Sequence, residues 1–349
     1  MSASEKPRQL TADEMPLVSL AAFVQGDAAD RAEQVDRMRR SLQDHDFFAL
    51  VDHGLNRDCL EGGYRAARDF FALPESEKRA LHKGRGFVGY IPFGVEQALR
   101  GSRPDYKELW HSVAERAPNH PERLARPEAY PTNPQPRAPR EWPSVLRALH
   151  TGFEGMVDGT LRMLSLSAAL PETWLAGAAM DGPHLLRLIH YPPLPKDGSD
   201  GLERAVEHTG AGILGFTPAA TSEGLEIYSR SRSWQRLCGF ENAVVVTVAD
   251  MTERLTNRKI SSSLHRVANP DGPSSAESRY AIVYFVSARP SALLDCPPEA
   301  LDKENPRLFP AQNAWDFVTE RMTDVWLNQA SPPYRAYFRL KQRLKRLLP

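Results

Sequence analysis

Apolar positions along this chain follow two different periods, and the change from one to the other divides it into parts. Met15 to Leu20 (MPLVSL) predicts a short strand, and Asp30 to Asp44 predicts an amphipathic helix with Val35, Met38 and Leu42 on one face. Phe47 to Val51 (FFALV) predicts a second strand, ended by the turn at His53-Gly54, and Arg57 to Leu73 predicts a helix stopped by Pro74. From Arg140 to about Leu170, Trp142, Leu146, Leu149, Phe153, Met156, Leu161 and Leu164 recur near helical spacing, which predicts a long bracing helix. From His184 onward the texture becomes short apolar runs between turn signals: LLRLIHY, AGILGFT, LEIY, AVVVTVA and YAIVYFV. Such spacing predicts a sandwich, barrel or jelly roll. Ala311 to Leu347 returns to a helical pattern, with Trp315, Val318, Met322 and Val325 on one face, and predicts a covering helix.

These segments give an organisation in four parts. Residues 1–120 form an N-terminal mixed α/β region, and 121–183 a proline-rich connection followed by the bracing helix. Residues 184–290 form the β core, and 291–349 the C-terminal covering helices. The stretch from Pro118 to Pro143, punctuated by six further prolines including Pro121 and Pro139, reads as a long irregular connection.

Composition narrows the partners. Lys plus Arg and Asp plus Glu both number 44, so no net field draws the chain to a nucleic acid polymer or an anionic membrane. Hydrophobic residues at 41% and charged ones at 25% are those of an ordinary globular protein. Cys59, Cys238 and Cys296 lie far apart without a CxxC pair, and the MSASEKPRQLTADE start has no apolar run for a signal peptide. A cytoplasmic protein is the expectation.

Histidine carries the candidate chemistry, because neutral imidazole is a good ligand for late first-row metals. Two of the ten histidines stand out by position: His208, in the strand-start sequence AVEHTGAGILGF, and His265, in the strand-start sequence SSSLHRVANP. They are too distant in sequence to share a helix or hairpin, so only a fold that joins remote strands makes them partners.

The text around them is similar to a known family. AVVVTVADMTERLTNRKISSSLHRVANP followed by SRYAIVYFV resembles the C-terminal half of the isopenicillin N synthase-like, iron(II) and 2-oxoglutarate-dependent oxygenases. MPLVSL, HDFFALVDHGL, FFALPESEK and the GYIPFGVEQ to YKELWH stretch resemble its N-terminal half, in order, so the resemblance runs from about Met15 to Pro290. It implies a mainly β fold with flanking helices around a double-stranded β-helix (jelly roll). It also implies Fe(II), 2-oxoglutarate and O2 as cofactors, with His208 and His265 as metal ligands.

The family's facial triad takes its carboxylate from an HxD motif, but this chain reads His208-Thr209-Gly210, and Gly210 has no side chain to ligate a metal. The same replacement resembles the signature of 2-oxoglutarate-dependent halogenases, which implies that chloride occupies the carboxylate's position and that a substrate radical collects chlorine instead of hydroxyl. Two other outcomes stand beside it: hydroxylation or desaturation at a modified iron site, and a degenerate oxygenase fold that only binds a ligand. Glu207 is adjacent to His208 but, by strand alternation, points away; Asp250 reads as a cap for a helix from Met251.

For the co-substrate, the family's Arg-x-Ser motif matches Arg279-Tyr280-Ala281, which implies that Arg279 pairs with the distal carboxylate while Ala281 lacks the serine's hydrogen bond. Tyr191 matches the family's tyrosine-proline motif and is placed in the same region. Substrate contacts fall on RGFVGYIPFG and SRPDYKELWH: Tyr90, Phe93 and Trp110 as an aromatic platform, and Arg100, Arg103, Lys107 and His111 as an anion site. An aromatic plane beside cations suits a nucleotide. The chain is similar to the nucleotide halogenases of purine nucleoside antibiotic pathways, which implies 2′-chlorination of deoxyadenosine monophosphate.

Overall fold

The computed structural model describes residues 7–83, 88–96, 105–195, 201–230, 233–270 and 272–326. Its strands, in chain order, are β1 (Arg8–Leu10), β2 (Leu17–Ser19), β3 (Phe47–Val51), β4 (Gly89–Ile91), β5 (Glu108–Val113), β6 (Leu185–Tyr191), β7 (Ala205–His208), β8 (Leu214–Pro218), β9 (Leu225–Tyr228), β10 (Trp234–Leu237), β11 (Val244–Val248), β12 (His265–Val267) and β13 (Arg279–Val286). They form an eight-stranded sheet, β2-β3-β11-β8-β13-β6-β5-β4, and a five-stranded sheet, β1-β10-β9-β12-β7. Strands of the N-terminal region thus join the same sheet as those of the 184–290 core. This is the jelly-roll arrangement with flanking helices.

The near-continuous apolar strands follow from burial on both faces. Alternate residues of the large sheet, such as Phe47, Ala49, Ile189, Val245 and Ala281, point inward and meet Leu225, Ile227, Leu237, Ala205 and Val267 of the small sheet. The intervening residues, such as Phe48, Leu188, Val246, Ile282 and Tyr284, point the other way into a layer of helices. The bracing helix runs from Trp142 to Ser167 and offers Leu149, Phe153 and Met156 to that layer. The helix Ala28–His45 begins with a capping box at Asp27 and stops at Asp46, which takes the left-handed conformation at φ 61° and turns the chain into β3. At Gly63, on the helix Arg57–Phe71, a Cβ would meet Ile282 Cδ1 at 2.9 Å, so glycine is what lets that helix approach the sheet.

Several boundaries differ from the sequence reading. The Met15 to Leu20 run divides into β2 and the start of a helix, Leu20–Gln25. The proline-rich connection holds a short helix, Pro121–Ala125, and the C-terminal part contains a strand pair, Leu293–Leu294 with Gln312–Asn313, before the helix Ala314–Trp326. The remainder of the covering-helix reading lies outside the described residues. No helix among the described residues is long and apolar enough to cross a membrane.

Between sheet and helices, His184 and His150 flank the Tyr284 ring at 6.0 and 5.5 Å. Burial, aided by the Arg116 charge, pushes their imidazoles down to about 3 and about 4. Both values lie below the unfolded value of about 6.5, so the unfolded chain binds the extra protons. Stability is therefore complete above about pH 6.5 and is lost as pH falls toward the folded values, at about 1.4 kcal/mol per pH unit for each ring. Urea midpoints of the metal-free protein should fall between pH 6.5 and 5, with a shallower slope in His184→Gln. A midpoint independent of pH over that range contradicts the assignment.

Candidate active site

His208 ends β7 and His265 begins β12, and antiparallel pairing sets the two residues directly opposite each other. Their ring centroids are 4.4 Å apart. His208 thus sits at a strand end, not at a strand start. Each Nδ1 donates to a carbonyl two residues earlier in the chain, His208 to Val206 at 2.8 Å and His265 to Ser263 at 3.0 Å. Because a carbonyl only accepts, these bonds place the proton on Nδ1 and leave the Nε2 lone pair free on both rings. Burial pushes His208 down to about 4, with the Lys107 charge adding to it, and His265 to about 3, with His208 itself adding. Both rings are therefore neutral at physiological pH, as metal ligation requires.

The donor set ends there. Among the described residues no group of three His, Cys, Asp or Glu side chains is placed to hold a metal ion. Glu207 is exposed, pointing away from the cavity as strand alternation requires. Asp250 is the first residue of the helix Asp250–Leu255 rather than its cap, and its carboxylate accepts from Ser262 Oγ at 2.8 Å and pairs with Arg321 at 2.9 Å. Gly210 does not have a positive φ, and a Cβ built there meets only Ala249 Cβ, at 3.1 Å. The backbone at this position therefore accepts a side chain with a small adjustment. Two imidazoles with free Nε2 atoms fit a ferrous ion, as a ligand set one carboxylate short of the facial triad.

His208, Gly210 and His265 line a cavity of about 170 Å³, covered by Trp315, Arg321 and neighbours on the helix Ala314–Trp326. Glu96 and Arg187 line another side of it. Arg187 grips Glu96 through two nitrogens, at 3.1 and 3.0 Å, and its Nε donates to His111 Nε2 at 2.7 Å. Lys107 pairs with Glu96 at 2.8 Å and Asp105 at 2.7 Å. Burial would raise the Glu96 carboxyl, but the Arg187 and Lys107 charges hold it well below the usual carboxylate range.

This network corrects the expected substrate contacts. Lys107 is buried between two carboxylates, and His111 is buried and occupied by Arg187, so neither presents charge to an anion. Tyr90 and Trp110 are cross-strand partners on the face of β4 and β5 turned toward the helices. Trp110 packs against Phe70 at 4.9 Å and Trp142 at 5.1 Å, while the Tyr90 hydroxyl donates to Glu108 at 2.6 Å. They are core residues, because strand alternation sends Trp110 and His111 to opposite faces. Phe93 is 36% exposed, beside Tyr106. Arg100 and Arg103 lie outside the described residues.

Arg279 begins β13 in register with Tyr191, the last residue of β6, and its guanidinium carbon lies 5.1 Å from the centre of that ring. It is 3% exposed; its Nε donates to the Ser222 and Glu223 carbonyls, and its Nη1 has no partner among the described residues. Ala281 faces Ile189 across the strands and offers no hydroxyl. Arg187, Arg204 and Arg321 were not singled out by sequence. Alternation within LLRLIHY places Arg187 on the inner face with Ile189 and Tyr191, a signal that was available.

Known proteins resemble this chain in sequence and fold. Residues 15–144 match the model of the non-haem dioxygenase N-terminal region, described for morphine synthesis, and residues 182–288 match that of the 2OG-Fe(II) oxygenase superfamily. A 2-oxoglutarate-Fe(II) type oxidoreductase of Emericella nidulans is 27% identical, over 87% of this chain and 88% of its own. Naringenin,2-oxoglutarate 3-dioxygenase of Callistephus chinensis is also 27% identical, over 82% of this chain and 76% of its own. The crystal structure of a 2OG-Fe(II) oxygenase family protein from Caulobacter crescentus superposes with a TM-score of 0.77 at 28% identity, covering 89% of this chain and 99% of that one. Two imidazoles set side by side on paired strands, a buried Arg279 in register with Tyr191 and two family models spanning most of the sequence lead to one assignment: the chain belongs to the 2OG-Fe(II) oxygenase superfamily.

Proposed function

We propose that the protein is an Fe(II)- and 2-oxoglutarate-dependent radical halogenase. One observation supports this reading above all: the position that carries the carboxylate in HxD proteins is Gly210, with room beside it and no described carboxylate in its place. Removing an anionic ligand leaves a coordination position open and one unit of positive charge uncompensated, which favours a small anion. Iron with 2-oxoglutarate and O2 supplies an oxidant strong enough to take a hydrogen atom from an unactivated carbon.

The chain's own residues set the outcome. His208 and His265 lie side by side, their Nδ1 bonds fixing both ring orientations and leaving Nε2 of each for the metal. Arg279 offers a guanidinium to the distal carboxylate of 2-oxoglutarate. The apolar cavity walls of Val113, Leu185, Phe285 and Val318 limit water, whose entry would favour hydroxyl over halogen. Overall, a C–H bond breaks and a C–Cl bond forms; chloride, one proton, O2 and 2-oxoglutarate are consumed, and succinate, carbon dioxide and water are released. O2 is reduced while 2-oxoglutarate and the substrate carbon are oxidised.

A second reading, oxygenation to an alcohol, is favoured by the relatives, whose names denote oxidation. The first substrate to test is deoxyadenosine monophosphate, attacked at the 2′ carbon. On the cavity wall, Trp315 offers an aromatic plane, and Arg321, although paired with Asp250 at 2.9 Å, keeps an Nε without a partner among the described residues, in place of the contacts first expected. Protein assembled without oxygen with Fe(II), 2-oxoglutarate and a panel of deoxynucleotides, then exposed to O2 with chloride, bromide or neither, should give product carrying the isotope pattern of the halide supplied. Product bearing only oxygen under every halide supports the second reading, and no 2-oxoglutarate consumption under any condition supports a binding protein.

A further inference from the structure

Several inward-facing cations among the described residues meet carboxylates, as Lys78 meets Glu108 at 2.7 Å. Glu226, fully buried, accepts from Arg236 and Arg266 at 2.7 Å each, and Glu96 answers Arg187 and Lys107. One pair departs from this pattern. Arg204 is 1% exposed and Arg279 3% exposed, and neither has an acidic side chain against it among the described residues. Arg204 Nη2 donates to the Glu277 carbonyl at 3.2 Å, while its Nε and Nη1, together with Arg279 Nη1, have no partner among the described residues. Both guanidiniums lie against the ring of Tyr191, their carbons 5.9 and 5.1 Å from its centre.

The π face of tyrosine offsets only part of the cost of removing two like charges from water. Burial and the charge of Arg279 push Arg204 down to about 10, so it remains a cation at neutral pH. Two cations with donors left unused specify an anion with several acceptor lone pairs, and a carboxylate is the one the superfamily's co-substrate carries.

We infer that Arg204 is a second anchor for the distal carboxylate of 2-oxoglutarate, sharing it with Arg279 and supplying the hydrogen bond that Ala281 cannot give. Placement agrees with this role. Arg204 immediately precedes β7, whose last residue is His208. Four residues of strand span about 13 Å, an interval that an arginine side chain and a five-carbon diacid together cover. The inference depends on 2-oxoglutarate as co-substrate, which halogenation and hydroxylation share, so it stands or falls separately from the halide reading.

The test is equilibrium binding to the full-length protein loaded with Zn(II), a redox-inert stand-in for iron, by calorimetry without O2 chemistry. Two probes are compared: 2-oxoglutarate, and 2-oxopentanoate, which keeps the keto acid end and replaces the distal carboxylate by a methyl group. Arg204→Gln should weaken 2-oxoglutarate by about 10- to 100-fold, the loss typical of a charged hydrogen-bonding partner, and leave 2-oxopentanoate unchanged. Arg204→Lys, which keeps the charge without the fork, should weaken 2-oxoglutarate less and also spare 2-oxopentanoate, and it carries the test alone where Arg204→Gln does not fold. Undiminished 2-oxoglutarate binding, or equal weakening of both probes, overturns the inference, the latter because a purely structural arginine would disturb both ligands alike.

Discussion

Replacing Gly210 by aspartate is expected to convert a halogen outcome into an oxygen outcome. The position tolerates the change: φ is not in the left-handed region, and the one close contact of a Cβ, Ala249 Cβ at 3.1 Å, needs a shift of a few tenths of an ångström. A carboxylate there would restore the third protein ligand and close the position open to chloride. The chlorinated product should fall by at least about a hundredfold, equivalent to about 2.7 kcal/mol in the partition between outcomes, while alcohol appears or turnover stops. Liquid chromatography with mass spectrometry on product formed in the presence of chloride separates these results. Chlorination by Gly210→Asp at the wild-type level would remove the physical basis of the halide proposal.

The second large effect concerns the imidazoles. With only two protein ligands described, each carries a greater share of metal affinity than in a three-ligand site. His265→Ala or His208→Ala should weaken binding by at least about a thousandfold, beyond the tenfold to hundredfold typical of losing an outer hydrogen-bond partner. Wild-type protein should melt at higher temperature on addition of the ion, because a ligand that binds only the folded state stabilises it, and the variants should not respond. Metal content after gel filtration and melting curves with and without Fe(II) under anaerobic conditions read both effects. A variant that retains one equivalent of iron and the full thermal response is incompatible with His208 and His265 as the ligand pair.

Much of the scaffold was legible because both faces of the large sheet are buried. LEIY and FFALV match β9 and β3 residue for residue, and the bracing helix lies within two or three residues of the sequence reading at each end. β7 and β12 are short, β7 carries both buried and exposed positions, and the pairing that sets His208 opposite His265 is long range. Periodicity has no access to that pairing, and only the family resemblance supplied it. The substrate contacts failed for a local reason. Trp110 and His111 are adjacent on one strand and face opposite layers, so one pocket does not receive both. Of the charged partners of Lys107, Asp105 is two residues away, but Glu96 comes from a separate loop and is held in turn by Arg187 of β6, a convergence that no short window along the chain reveals. Arg204 stayed hidden because an arginine before a strand reads by default as a surface cation.

The coordination position proposed beside Gly210 is tested most directly by a crystal of the protein with Fe(II), 2-oxoglutarate and bromide, grown without O2 and measured at the bromine absorption edge. The account predicts an anomalous bromine peak bonded to a metal that His208 and His265 hold through Nε2, on the side of Gly210. A carboxylate from this chain occupying that position, or a metal bound elsewhere than between the two imidazoles, would contradict it.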